Sequence, residues 1–227
     1  MLYHGRAMDA DVNCVEEGRN WEDGKREWVE AICYPLSGDQ VMWEVSKGGE
    51  VIAQIVCVDY PWWRCVREAP EGLLLEFGVR AGSSIRKLAH EARNWGRVIY
   101  GFDCWRGLPH SAGGFTKGDC CALRPTDLPD NCELLDGLFS DTLEEFLEAH
   151  REPIGFAHLD CDLFSSSYYV LRALMDRFVS GSLIALSDIA FSPDAQRRAW
   201  LRYLAETGQA WVLVGKNHMW GEVYRLT

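Results

Sequence analysis

At 227 residues with 48% hydrophobic content, the chain can bury one substantial core, enough for one domain with an appendage. Its 34 acids against 23 bases give a net charge of −11, which argues against nucleic acid as a partner, because phosphate binding wants a basic surface. No stretch approaches the roughly 20 unbroken apolar residues of a membrane span. The opening MLYHGRAMDADVN lacks the basic-then-apolar pattern of a secretory leader. Nine cysteines without a C-x-x-C pair indicate neither a disulfide framework nor a zinc site. A cytoplasmic setting with no membrane partner is expected.

Residues 1–20 are polar and show no periodicity, so they read as loose. From Trp21 to about Glu68 the composition turns aromatic, with Trp21, Trp28, Trp43, Trp62 and Trp63. Val29, Ile32 and Cys33 have helical spacing. Val41, Met42, Val45, Val51, Ile52, Ile55 and Val56 suggest one or two further helices interrupted at Gly48–Gly49. Residues 1–70 are therefore expected to form a helical segment beside a main domain at 71–227. The segment is either a plain layer packed on that domain or a cap, lid or dimerisation surface whose tryptophans face an apolar substrate. A homodimer is the oligomer expected.

The main domain opens on LLLEFGVRAGSS, Leu73 to Ser84. An apolar run ends in Glu76, Gly78 and Gly82 follow four apart, and helix-compatible residues begin at Ser83. A buried strand that breaks at glycines and turns into a helix makes a cofactor cradle, since glycine lets the backbone approach closely and the new helix offers unpaired N–H groups. A carboxylate at the strand end suits a ligand carrying positive charge, such as the amino-acid end of S-adenosylmethionine (SAM).

A helix to about Asn94 leads to a second buried strand, Val98 to Phe102, ending in Asp103. An acid at the tip of a second strand can hydrogen-bond both hydroxyls of a ribose. Cys104 to Asn131 is a long Gly-, Pro- and Asp-rich loop that contains His110 and the vicinal Cys120 and Cys121. Loops of this length in a compact domain are usually functional, so a lid over the site is expected, with both cysteines as plain thiols. CELL, 132 to 135, is a third strand, and Ser140 or Asp141 is placed to cap the helix that follows. IGFAHLD, a helix from SSSYYVL, SLIALSD and a helix from AQRRAWLRYLAE come next, and two strands close the chain as an antiparallel pair. Strand alternating with helix means an open, mostly parallel α/β sheet with helices on both faces.

In such a sheet the ligand lies beyond the C-terminal strand ends, where this sequence delivers Glu76, Asp103, Asp160, Asp162 and Asp188. Asp160 and Asp162 share strand parity, so in extended geometry they point the same way, about 7 Å apart. Such a pair can hold a divalent metal, take a proton from a hydroxyl, or divide those tasks. His158 shares that parity one step deeper, where a hydrogen-bonded core histidine is expected.

EFGVRAGSS, VIYGFDCWRGLP, GLFSDTL and AHLDCDLFSSSYYVL resemble the macrocin O-methyltransferase family of class I SAM-dependent methyltransferases, over about Leu73 to Glu206. The resemblance implies a Rossmann-like α/β fold whose seven-stranded sheet ends in an antiparallel strand. Glu76, Gly78, Gly82 and Ser83 would then hold the methionine end of SAM, and Asp103 the ribose. Trp105 would lie beside the adenine, with Gly137, Phe139 and Ser140 bordering it from the other side. Asp160 would border the cofactor and, with Asp188, bind magnesium, although Ser187 stands where the family usually has another acid. Asp162, with His110 as a further candidate, would take the proton from a hydroxyl acceptor, a sugar or polyol of a small natural product. Two other readings stay open: a nicotinamide-dependent oxidoreductase, against which G-x-x-x-G counts, and a non-catalytic member that binds a metabolite.

Overall fold

The computed structural model describes residues 62–187, 189, 195–216 and 221–227, together with the strand backbones at 15–22, 25–35, 40–47 and 50–58. The chain divides into two compact units, Met1–Tyr60 and Pro61–Thr227.

In the first unit β1 (Val15–Glu22), β2 (Lys25–Pro35), β3 (Gln40–Lys47) and β4 (Glu50–Val58) form an antiparallel sheet in chain order. This corrects the helical reading for the strands described within residues 15–58, and the division falls at 60/61 rather than at 70/71. The spacing of Val29, Ile32 and Cys33 fits a helix, but Val51, Ile52, Ile55, Val56 and Val58 are β-branched. Such side chains lose rotamer freedom in a helix and fit a pleated surface instead. The register pairs Lys47 with Glu50, and the dipeptide between them, Gly48–Gly49, is one that two-residue hairpins use. The side chains of Trp21, Trp28 and Trp43 lie outside the described residues.

The second unit begins with a 3₁₀ turn, Trp62–Arg64, and a short helix α1 (Cys65–Glu68). Then come β5 (Leu73–Phe77), α2 (Ser83–Arg93), β6 (Ile99–Asp103), β7 (Cys132–Asp136), α3 (Phe139–Ala149) and β8 (Ile154–Leu159). The chain closes with α4 (Phe164–Leu174), β9 (Phe178–Leu186), α5 (Gln196–Thr207), β10 (Trp211–Lys216) and β11 (Glu222–Leu226). The seven strands lie in the order β10-β11-β9-β8-β5-β6-β7. All neighbours from β7 to β9 are parallel, and β11 runs antiparallel to both β9 and β10. The chain starts in the middle at β5, winds outward to β7 and returns to β8 on the other side of β5. That reversal opens a crevice at the C-terminal strand ends.

Strand alternation decides what each face buries. Leu75 and Phe77 of β5, Phe102 of β6, Ala157 and Leu159 of β8, and Ile184 and Leu186 of β9 share one apolar cluster with side chains of α3, α4 and α5. The other parity (Glu76, Gly101, His158, Ala185) faces the side of the 3₁₀ turn, α1 and α2, where Ile85 of α2 lies against Gly101.

The connection into β5 is tied by one side chain. Arg97 donates from Nη1 to Val66 O and Ala69 O, at 2.9 and 3.3 Å, and from Nη2 to Pro70 O and Gly72 O, at 2.9 and 3.0 Å. Arg97→Ala is expected to destabilise the unit by about 2 to 4 kcal/mol, because several part-buried carbonyls lose a charged donor together. The denaturant midpoint of the variant measures this, and an unshifted midpoint refutes it.

Candidate active site

The glycine turn after β5 is built as a close approach of backbones. Gly78 N–H donates to Phe102 O of β6 at 2.9 Å, and Asp160 N–H beyond β8 donates to Phe77 O at 2.9 Å. Gly78 has φ +95, and a Cβ there would lie 1.9 Å from Asp160 O. Only glycine serves. Gly82, at φ +84, is the N-cap of α2, and no side chain caps that helix, so its first N–H groups stay open toward the crevice end. The ladder continues past the strand tips with Gly137 N–H to Asp103 O at 3.0 Å and Ser187 N–H to Leu159 O at 3.0 Å. Residues from five strand ends are thereby held along one edge.

Asp103 organises the next shell. Its Oδ2 accepts from Arg80 N–H at 2.7 Å and its Oδ1 from Trp105 N–H at 2.8 Å. The Trp105 indole N–H donates to Arg80 O at 2.8 Å, which locks the ring beside the glycine turn, with the Arg124 guanidinium 5.4 Å over it. Each carboxylate oxygen keeps a second lone pair for a ribose hydroxyl. Phe139 packs edge-on against Phe77 at 5.4 Å. α3 begins at Phe139 with Leu138 as N-cap, so Ser140 and Asp141 do not cap it; the Ser140 hydroxyl donates to Asp141 Oδ1 instead, at 3.1 Å.

Past β8 the chain leaves extended geometry. Asp162 has φ +51, and Leu163 N–H donates to Cys161 O across it in a tight three-residue turn. The expected strand-parity alignment of Asp160 with Asp162 is therefore broken, yet the two carboxylates act on each other. Burial first, then Asp162 and Glu76 as negative neighbours, pushes the Asp160 carboxyl up to about 8, with Arg80 pulling the other way. Burial also raises Asp162, against a hydrogen bond from Cys120 and the charge of Arg80. Cys120, read as a plain loop thiol, is pushed up to about 12 by burial and by Asp162. Arg80, Trp105, Cys120 and Asp162 are the non-glycine residues with positive φ among those described, and all four belong to this edge. Such strain persists where surrounding contacts over-determine it, as at functional sites. Nothing in sequence periodicity marked Arg80 or Cys120.

The raised Asp160 has a consequence for stability. In the unfolded chain it loses its proton near the ordinary value of about 4, and in the folded chain only near 8. Between those values the folded state holds a proton that the unfolded state has lost, so its contribution to stability drains away as pH rises through the window. Thermal melting of the ligand-free protein is expected to fall less steeply with pH in Asp160→Asn than in wild type. Parallel curves contradict this.

His110 is exposed in the long loop, with Nε2 3.2 Å from Ser165 Oγ near the start of α4. His158 is buried with both ring nitrogens engaged, Nδ1 2.9 Å from Glu76 Oε1 and Nε2 2.6 Å from Ser187 Oγ. Among the described residues no magnesium site is assembled. Ser187 Oγ is committed to His158, Asp188 lies outside the described residues, and no group of three or more His, Cys, Asp or Glu among the described residues could hold an ion. A cationic organic ligand fits better. Glu76 is fully buried, and its Oε2 has no hydrogen-bond partner among the described residues, an arrangement that calls for a bound donor.

A doubly wound sheet with this strand order, a glycine turn after its central strand and an acid at the tip of the next defines a class I methyltransferase, the SAM-dependent class. A family model described as a methyltransferase domain matches residues 75–189, half of the chain, and the chain belongs to that family. This sets aside the nicotinamide reading. A search of the curated proteins gave no match. Among solved structures the chain is similar to the calicheamicin methyltransferase CalS11, with 20% identity over 72% of this chain and 75% of that one and a TM-score of 0.58. For the O-methyltransferase NovP the values are 21%, 73%, 77% and 0.60. The apo form of CalS11, described as a TDP-rhamnose 3'-O-methyltransferase of calicheamicin biosynthesis, gives 22%, 72%, 75% and 0.53. At these identities the likeness establishes the fold. No helix among the described residues is long and apolar enough to cross a membrane.

Proposed function

We propose that the chain transfers a methyl group from SAM to a hydroxyl of a sugar or polyol on a small natural product, as the macrocin-like motifs imply. SAM, when bound, supplies an electrophilic methyl group. The observation that carries the hydroxyl reading is Asp162: a carboxylate at the crevice edge whose proton affinity is raised by burial. An alkyl hydroxyl is a very weak acid, and a base of raised pKa accepts its proton more readily as the oxygen attacks. Glu76 would hold the amino group of the cofactor and Asp103 its ribose, while Trp105, Gly137 and Phe139 would flank the adenine. The likeness to CalS11, a TDP-rhamnose 3'-O-methyltransferase, supports the choice of acceptor. The proposal also includes a cytoplasmic homodimer, with the N-terminal sheet as cap or dimerisation segment and the Cys104–Asn131 loop as lid.

Calorimetry tests the cofactor reading. SAM and its demethylated product, S-adenosylhomocysteine (SAH), are expected to bind and NAD is not. Asp103→Ala should weaken SAH by at least about tenfold, because it removes two charge-assisted ribose bonds and frees Arg80 and Trp105. Heat with NAD and none with SAM or SAH overturns the reading. Transfer of label from methyl-labelled SAM to a panel of nucleotide-linked and free sugars tests the acceptor, and labelling confined to amine acceptors contradicts it.

A further inference from the structure

The line Glu76–His158–Ser187 lies beside the proposed cofactor edge but has no part in the proton transfer described above. Strand pairing sets Glu76 of β5 opposite His158 of β8, and the ladder bond from Ser187 N–H to Leu159 O brings Ser187 to the same edge. Glu76 and His158 are 0% and 1% exposed, so neither draws on water for its hydrogen bonds. The Trp62 ring stacks on the imidazole with centroids 4.1 Å apart, which fixes the plane of the ring.

A carboxylate only accepts, so Nδ1, 2.9 Å from Glu76 Oε1, must carry hydrogen. In the neutral ring Nε2 then accepts from the Ser187 hydroxyl, 2.6 Å away. Every donor and acceptor on the imidazole is used. What remains is one atom, Glu76 Oε2, buried and without partner among the described residues. A free carboxylate would exchange its two oxygens by rotation. This one cannot do so without breaking the His158 bond.

We infer that His158 is a positioning residue for cofactor recognition: it pins Glu76 Oε1 so that Oε2 stands preorganised for the amino group of SAM, with Ser187 and Trp62 fixing the tautomer and plane of the ring. The inference rests on the SAM reading above. Preorganised acceptors add affinity because they need no ordering when the ligand arrives.

The test compares SAH with methylthioadenosine, which shares the nucleoside and sulfur but lacks the amino-acid end. Affinities of both are measured by calorimetry on wild type, His158→Leu, His158→Asn and Ser187→Ala. Asparagine keeps an N–H donor near the place of Nδ1. His158→Leu should weaken SAH by about 10- to 100-fold, the range for a hydrogen bond to a charged group, while methylthioadenosine stays within about threefold. His158→Asn should restore most of the SAH affinity. Ser187→Ala should weaken SAH by about two- to tenfold with methylthioadenosine unchanged, which also serves if the leucine variant does not fold. SAH binding as tight as wild type in His158→Leu or Ser187→Ala overturns the inference, as does equal weakening of both ligands without rescue by asparagine. If wild type binds neither ligand, the SAM reading itself fails, a result distinct from these.

Discussion

Asp162→Asn is expected to lower methyl transfer by about 10²- to 10⁴-fold, the usual loss when a general base is removed, while SAM binding stays nearly intact. The substitution is clean for a local reason. Asp162 sits at φ +51 in a tight turn, and asparagine is among the few residues that tolerate this conformation as aspartate does. It also keeps an oxygen to accept from the Cys120 thiol, so the loop contact survives. What it lacks is the capacity to take a proton. Steady-state rates at saturating acceptor, with SAH affinity measured in parallel, separate the two effects. Turnover above about a tenth of wild type would mean that another group accepts the proton.

The second large effect is expected at Gly78. An alanine there would need φ near +95 and would place its Cβ 1.9 Å from the Asp160 carbonyl oxygen. Both neighbours are backbone, so no side chain can swing aside. β5 and β8 must separate where the cofactor turn begins, and the bond from Asp160 N–H to Phe77 O goes with them. Gly78→Ala should cost at least about 3 kcal/mol of stability, from left-handed strain and overpacking together. SAH binding should disappear with it. A folded Gly78→Ala protein that binds SAH as wild type does would show that the turn is not held as described.

The sheet was legible because its signals are local and redundant. LLLEFGVRAGSS announces strand, glycine turn and helix within twelve residues, and the acid at the tip of β6 follows one strand–helix unit later. Parity along IGFAHLD placed His158 one step deeper than Asp160 as a hydrogen-bonded core histidine, and the structure buries it and bonds it to Glu76. The N-terminal unit was misread because its apolar residues come in runs, and a run has neither the helical nor the strand period. Its valines and isoleucines, and Gly48–Gly49, were the better guide. At the site, acids could be assigned to strand ends, but Arg80, Cys120 and the turn at Asp162 depend on backbone conformations that no spacing rule reports. Strand parity also assumed that β8 continues through Asp162, whereas it ends at Leu159.

The most direct measurement is a crystal structure of the protein with SAH. The account predicts the ligand across the C-terminal ends of β5 and β6, its amino nitrogen within hydrogen-bond distance of Glu76 Oε2 and its ribose hydroxyls on Asp103. Asp162 would face the open space beside the sulfur. SAH bound elsewhere on the chain, or bound here with Glu76 Oε2 still unpartnered and Asp103 out of reach of the ribose, would contradict it.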